Sequence, residues 1–271
     1  MSTKYNKLAG KHVVVIGGAS GIGRGVVEAS LSAGAARVTL VGSSARSAQA
    51  ATEALEAAGY PADRIGSLHC DLARDTVEQD LGAVLSAAGD RKKIDHIVLT
   101  AADPLTICDL QDLSLARIRR ACHMRLHVPL LLGKVAARHL ARGDGDDDAA
   151  DSDASLTITT GGIADKPSPG WSLMACVAAG VQGLTRNLAL ELAPARIRVN
   201  AVEPGPVDTA LWDAALPDPE RKAAQFAAFR AGMPTGRLAA VEDVAEAYVY
   251  LMKDRSATGE VVKTRSGAHL V

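Results

Sequence analysis

Short apolar runs of strand length alternate along this chain with longer stretches in which apolar residues recur at helical spacing. The runs predict strands at His12–Gly17, Arg37–Val41, Ser67–Cys70, Ile94–Thr100, Ser155–Thr160, Ile197–Val202 and Gly259–Val262. Val13-Val14-Val15-Ile16 is apolar at every position, as a strand covered on both faces requires. The stretches between carry Ala, Leu, Val and Arg at the period of an amphipathic helix. Strand and helix in strict alternation form repeated βαβ units, and right-handed crossovers wind them into a doubly wound sheet. The fold class expected is α/β, a Rossmann-type parallel sheet of seven strands. At 271 residues the chain fits one domain over 1–271.

One segment breaks the pattern. Residues 142–154 hold six aspartates among Gly, Ala and Ser, too little apolar surface to bury, and are expected to form a solvated acidic loop. A Ca²⁺ loop would need a late bidentate Glu, which is missing, so no metal is expected there. The hydrophobic fraction of 48% is ample for a core, and a net charge of −1 offers no footprint for nucleic acid or an anionic membrane. The first residues, Met1 to Lys7, are polar and contain no signal-peptide core, and no apolar run reaches the length of a membrane span. Cys70, Cys108, Cys122 and Cys176 are scattered, which fits reduced thiols. A cytoplasmic protein without membrane or nucleic-acid partners is the expectation.

The first strand runs into Ile16-Gly17-Gly18-Ala19-Ser20-Gly21-Ile22-Gly23-Arg24, with a helix after it. Gly17, Gly21 and Gly23 permit a tight turn and close backbone approach to a pyrophosphate. Ser20, Ile22 and the helix start then face its negative charge. Between a strand and a helix, such a turn reads as a dinucleotide cradle.

From here the sequence resembles the short-chain dehydrogenase/reductase family over nearly its whole length. The cradle is similar to the family's T-G-x-x-x-G-x-G. Asp71-Leu72 matches the element whose Asp contacts adenine. Ile197-Arg198-Val199-Asn200-Ala201-Val202-Glu203-Pro204-Gly205-Pro206-Val207-Asp208-Thr209 resembles the segment that holds the nicotinamide carboxamide. Met233-Pro234-Thr235-Gly236-Arg237 and Thr258-Gly259-Glu260 match later landmarks. The resemblance implies cofactor contacts at Thr100, Ala101, Pro204, Gly205, Val207 and Thr209, and a homodimer or homotetramer. The small residues on the helix after strand five (Ala175, Cys176, Ala178, Ala179, Gly180, Gly183) permit close helix packing. At the end of strand two, NAD enzymes usually place a carboxylate for the ribose 2′-OH. Here stand Ser43, Ser44 and Arg46, which with Arg24 suit a 2′-phosphate, so NADP(H) is expected. Alternatively, Arg46 is only a solvated helix residue.

The family's catalytic set is Asn, Ser, Tyr and Lys, the last two as Y-x-x-x-K. Counting back from Ala179-Gly180-Val181-Gln182-Gly183-Leu184-Thr185-Arg186, which resembles the family's anchor, the Tyr position is Met174 and the Lys position Ala178. No Tyr occurs between Tyr60 and Tyr248 to rescue the motif. The Ser position falls on Thr159 or Thr160, Leu99-Thr100-Ala101-Ala102 replaces N-N-A-G, and Arg125 takes the Asn position. A positioned acid or base is worth about 10²–10⁴-fold, so ordinary carbonyl reduction is not expected. Hydride transfer to a pre-formed cation needs no proton and survives the loss.

Asp165 and Arg125 are candidate replacements, as an ion pair across the pocket or with Asp165 stabilising a substrate cation. The plain alternatives are a turn cap before Pro167 and a salt-bridged interface residue. His123 and His127 have i, i+4 spacing but no third ligand, so they are read as ordinary histidines. Trp171, Met174, Trp212, Phe226 and Phe229 fall where relatives build the substrate pocket and its lid, Pro219–Gly232. They suit a flat apolar small molecule, or else only pack the lid. Arg, Asp and Trp together resemble a divergent fungal group, the iminium reductase/Diels–Alderases of indole-alkaloid biosynthesis, which maps onto Arg125, Asp165 and Trp171. In that group the Asp and Trp stand closer together. Two functions follow: hydride transfer to C=N or C=C, with or without a cofactor-templated cyclisation or isomerisation, or a pseudoenzyme that senses NADP(H) or serves as a scaffold.

Overall fold

Strand β1 (His12–Ile16) shows why the sheet lies in the middle of the molecule. Its Val14 and Ile16 enter one apolar layer and its Val13 and Val15 another, so both faces demand a cover. The other strands are β2 (Arg37–Gly42), β3 (Ile65–His69), β4 (His96–Leu99), β5 (Ser155–Thr159), β6 (Arg198–Pro204) and β7 (Val261–Thr264). All pair in parallel in the order β3-β2-β1-β4-β5-β6-β7. The structure is a computed structural model and describes residues 3–90, 92–140 and 153–271. Helices α1 (Gly21–Ser32), α2 (Ala45–Ala57) and α8 (Val241–Lys253) cover one face. Helices α3 (Val77–Gly89), α5 (Val128–His139) and α6 (Ser172–Leu192) cover the other. Two further helices, α4 (Leu115–Cys122) and α7 (Pro219–Ala231), lie near the carboxyl ends of the strands. From β1 the chain winds outward to β2 and β3, then returns to β4 on the opposite side. That reversal opens a crevice between the ends of β1 and β4, where α/β sheets bind ligands.

The expected seven-stranded sheet is observed, with strand ends shifted by a few residues. The largest shift is in β7, expected from Gly259 and observed from Val261. Gly259 has φ +76, a left-handed conformation that breaks an extended run, and the strand continues through Lys263 and Thr264. Residues 142–152 of the acidic segment lie outside the described residues. Asp153, expected in solvent, is buried: its carboxylate meets Lys11 at 3.6 Å and Arg255 at 3.2 Å where the chain enters β5. The expectation that no apolar stretch has membrane-span length is also corrected. Ser172–Ala195 is long and apolar enough, with mean hydropathy 1.2. Leu173, Met174, Val177, Val181, Leu188 and Ala189 of that helix pack into the apolar core instead.

The amino ends of the central strands carry a buried polar layer. His96 is fully buried with Nδ1 2.9 Å from Ser155 Oγ, and His12 Nε2 stands 2.9 Å from Thr39 Oγ1. Burial lowers both imidazoles, His96 to about 3. The unfolded chain therefore binds a proton below pH 6.5 that the folded chain refuses. The stability held by neutral His96 is complete above that pH and is lost as pH falls towards 3. We expect unfolding free energy from urea titrations to drop between pH 6.5 and 4, by up to about 1.4 kcal/mol per pH unit from His96. His96→Gln should flatten that slope; an unchanged slope would refute the assignment.

Candidate active site

A cavity of about 760 Å³ opens at the carboxyl ends of β4, β5 and β6. The glycine turn after β1 adjoins it and reaches the lining through Ile22. Gly17 has φ +93, and a Cβ there would stand 2.4 Å from the Ala101 nitrogen; a Cβ on Gly23 would stand 2.1 Å from the Gly17 oxygen. Only hydrogen fits at either position, so β1, α1 and the end of β4 meet backbone to backbone. Ser20 is the exposed N-cap of α1 and makes no capping side-chain bond. Thr209 leans over Gly21, with its Cγ2 3.3 Å from where a Cβ would be. Ile22, Thr100, Ala101, Pro204, Gly205, Val207 and Thr209 all line the cavity. Across the sheet, Ser43, Ser44, Arg46 and Asp71 are exposed beyond β2 and β3, and Leu72 is buried beside them. Ser44 caps α2 through a capping box with Ser47. The predicted cofactor residues thus follow the ends of β3, β2, β1 and β4.

Met174 and Ala178, the positions expected for the family's Tyr and Lys, both line the cavity from α6. Thr159 and Thr160 line it too, but their protons are committed. Thr159 Oγ1 donates to the Leu99 carbonyl at 2.7 Å and contacts the Tyr248 hydroxyl at 2.6 Å; Thr160 Oγ1 donates to the Ala178 carbonyl at 2.8 Å. Because Thr159 has already donated its proton, the Tyr248 hydroxyl is the donor of that pair. Burial pushes the Tyr248 phenol up.

Arg125 reaches the cavity from a π-helical turn, His123–His127, between α4 and α5. Such turns insert an extra residue and re-aim side chains, frequently at functional sites. Nothing in the spacing of the sequence signals this one. The ion pair expected between Arg125 and Asp165 is not formed. Arg125 Nε lies 3.0 Å from Asp103 Oδ1, and its Nη2 donates to the Asp103 carbonyl at 2.6 Å. Desolvation raises the buried Asp103 carboxyl against the opposing pull of Arg125. Asp165 lies in the exposed turn after a short 3-10 helix (Gly162–Ala164), outside the cavity lining. Lys263 binds it closely and Arg265 Nη1 lies 3.0 Å away; chiefly through Lys263 its carboxyl is held down at about 2. The reading of Asp165 as the counter-charge of a substrate cation is therefore corrected: its charge is already matched by β7 and the turn after it.

Trp171, Trp212 and Phe229 form an aromatic wall, with the Trp171 and Trp212 centroids 5.9 Å apart and Trp212 and Phe229 5.6 Å apart. Phe226 stands behind, buried, 5.4 Å from Trp212 in an edge-to-face pair. Its expected substrate contact is corrected to packing of the lid. Residues that sequence reasoning missed include Asp103, Arg265 and Lys222. Lys222 ties α7 to Asp208 at 2.9 Å and Asp213 at 2.8 Å, linking the lid to the segment beside Thr209. His123 Nε2 donates to the Leu72 carbonyl at 2.8 Å, and among the described residues no group of three or more His, Cys, Asp or Glu side chains is placed to hold a metal ion.

Residues 4–271 match the family model of the SDR-like Rossmann domain. The short-chain dehydrogenase/reductase fsr5 of Gibberella fujikuroi is 37% identical over 270 residues, covering 98% of both chains. The short-chain dehydrogenase/reductase malC of Malbranchea aurantiaca is 37% identical over 266 residues, 96% of this chain and 95% of that one. The solved MalC reductase/Diels-Alderase superposes with a TM-score of 0.87 over 99% of this chain and 100% of that chain, at 35% identity. A short chain dehydrogenase from Burkholderia cenocepacia solved in complex with NADP superposes at 0.78 over 97% and 99%, with 26% identity.

Removing one partner of a buried ion pair leaves a desolvated charge, whereas replacing both is far milder. We expect Arg125→Met to lower the unfolding free energy by about 3 kcal/mol. Arg125→Met/Asp103→Leu should recover most of that loss in the same denaturation assay. Equal losses in the single and double variants would show that Asp103 does not depend on Arg125.

Proposed function

The chain belongs to the short-chain dehydrogenase/reductase family, and on that footing we propose that it is an NADP(H)-dependent oxidoreductase or cyclase acting on a flat apolar ring system. The observation that carries the reading is the cavity itself. A glycine turn packed backbone to backbone adjoins it, its wall holds two tryptophans, and apolar Met174 and Ala178 line it at the positions that the family resemblance gives to Tyr and Lys. A turn without side chains that runs into the exposed start of α1 at Ser20 fits a pyrophosphate. The end of β2 presents Ser43, Ser44 and Arg46 without a carboxylate, which favours a 2′-phosphate over a 2′-hydroxyl.

When bound, NADPH supplies a hydride to a C=N or conjugated C=C bond of the substrate. The protein's own part is to seat and orient. Trp171, Met174, Trp212 and Phe229 hold the ring by apolar contact and exclude water. Arg125, anchored on Asp103, presents a fixed guanidinium edge that hydrogen-bonds and polarises an acceptor atom of the substrate. Since Thr159 and Thr160 donate into the backbone, neither offers a proton to the reacting atom, which suits hydride transfer or cyclisation more than ordinary carbonyl reduction. That a relative is titled a reductase/Diels-Alderase supports the inclusion of cyclisation. The same commitment of protons favours, as the second reading, an NADP(H)-binding pseudoenzyme. The reading includes a cytoplasmic homo-oligomer in which the exposed Cys176, Ala179 and Gly180 of α6 meet a second copy.

The test is calorimetric titration of the protein with NADPH and NADH. We expect NADPH to bind at least about tenfold more tightly, as a charge-assisted contact to the 2′-phosphate implies. Arg46→Ala should narrow that preference while leaving NADH affinity unchanged. Binding of neither nucleotide would overturn the proposal, and binding without turnover of any cyclic imine or enone would favour the pseudoenzyme.

A further inference from the structure

The cavity has a charge pattern that its aromatic wall does not explain. Among the described residues no Asp or Glu lines it, whereas Arg125, Lys166 and Arg265 do. The matching carboxylates stand one layer back, Asp103 behind Arg125 and Asp165 with Glu203 behind Arg265. A site of this kind presents donors to its ligand and keeps the acceptors out of reach.

Arg265 is the most firmly built of these. Its side chain is 4% exposed, and its Nη1 lies 2.7 Å from Glu203 Oε1 and 3.0 Å from Asp165 Oδ2. Glu203 is fully buried and its other oxygen accepts from Gln182 Nε2 at 2.6 Å, so the clamp is itself clamped. The stem runs between two glycines: a Cβ on Gly162 would stand 3.0 Å from Arg265 Cδ, and one on Gly205 3.1 Å from Arg265 Cα. The backbone then turns sharply at Ser266 (φ 52) and Gly267 (φ 80), and left-handed Ser266 persists only where its surroundings over-determine it. Yet Arg265 Nε is buried with no hydrogen-bond partner. A guanidinium held this firmly in the cavity wall matches the planar geometry of a carboxylate.

We propose that Arg265 is a specificity-determining anchor for a carboxylate, or an equivalently charged enolate oxygen, carried by the substrate at the end of the pocket away from Arg125. Arg125 comes from the π-helical turn between α4 and α5, whereas Arg265 follows β7 at the edge of the sheet. The substrate class is thus a flat apolar ring system with an anionic substituent, not a cation. This rests on the proposed function only for the name of the ligand as substrate; the anchor itself is tested without turnover.

Trp171 and Trp212 are the only tryptophans of the chain, and both stand in the cavity wall, so intrinsic fluorescence reports on this site alone. The probes are three isosteres: anthracene-9-carboxylate, 9-anthracenemethanol and 9-anthracenylmethylammonium. We expect the carboxylate to quench at a concentration at least about tenfold lower than the alcohol or the cation, the size of one charge-assisted contact. It should do so equally with saturating NADPH present. Arg265→Met should erase the preference, as should Arg265→Met/Glu203→Gln, which avoids stranding a buried charge, while Arg265→Lys restores part of it. Equal quenching by all three probes, or a preference that survives both Met variants, would overturn the anchor. So would displacement of the carboxylate by NADPH, which would assign Arg265 to the nucleotide. If NADPH fails to bind while the carboxylate preference holds, the cofactor reading falls and the anchor stands.

Discussion

The site depends on one close approach, that of the Gly17 turn to the end of β4. Where the winding of the sheet reverses, β1 and β4 lie side by side, and the backbone leaving β1 must pass within contact of Ala101 before α1 begins. Gly17 and Gly23 carry no side chain, so the turn sinks to the level of the strand ends and packs there backbone to backbone. Thr100 locks the approach by bonding the Ile16 carbonyl through both its amide nitrogen, at 2.8 Å, and its hydroxyl, at 3.2 Å. A methyl at either glycine would collide with the backbone of Ala101 or of Gly17 and force α1 away from β4. The position of α1 carries with it the packing of α8.

Around the cavity, charge is arranged in depth. Both arginines of the cavity wall have their carboxylates behind them, in Asp103 and in Glu203 with Asp165. An ion pair this buried is costly to desolvate and adds little net stability compared with apolar packing. What it supplies is orientation: a guanidinium that meets its ligand without losing side-chain freedom at that moment. The pairs tie together segments remote in sequence, the end of β4 to the π-helical turn and the loop after β5 to β6 and β7.

Much of the fold was legible because it rests on periodicities. Continuous apolar runs such as Val13 to Ile16 mark doubly covered strands, and the glycines of the first turn mark the cradle. The positions of Met174 and Ala178 could be counted from their anchor because α6 is an unbroken helix. Charge partnerships were not legible in the same way. Asp165 was expected to face Arg125, but a strand that continues to Thr264 carries Lys263 and Arg265 to Asp165 first. With β7 expected to end at Val262, those two cations had no place in the reading. Arg125 was correctly drawn to the cavity, but its partner Asp103 lies on a loop without period. The π-helical turn between them leaves no mark in a pattern of apolar positions. Phe226 and Phe229, on one helix, were separable only by packing: one turns to the cavity and the other to Trp212's far edge.

Apolar Met174 and Ala178 in the cavity wall have a consequence beyond two side chains. In a pocket that must protonate an alkoxide, some group has to hold a transferable proton towards the reacting atom. Here the hydroxyls around the end of β5 are turned away: Thr160 to the Ala178 carbonyl, Thr159 to the Leu99 carbonyl, and Tyr248, deep beneath, to Thr159. Tyr248 is buried and its phenol raised, so it serves as a fixed donor that holds Thr159 in place. Apolar Met174 and Ala178 complete a surface on which charge can be steadied by the arginines, while no proton is delivered from those hydroxyls. On the proposed function, any proton comes from solvent or from other groups of the lining, Lys166 and His269 among them.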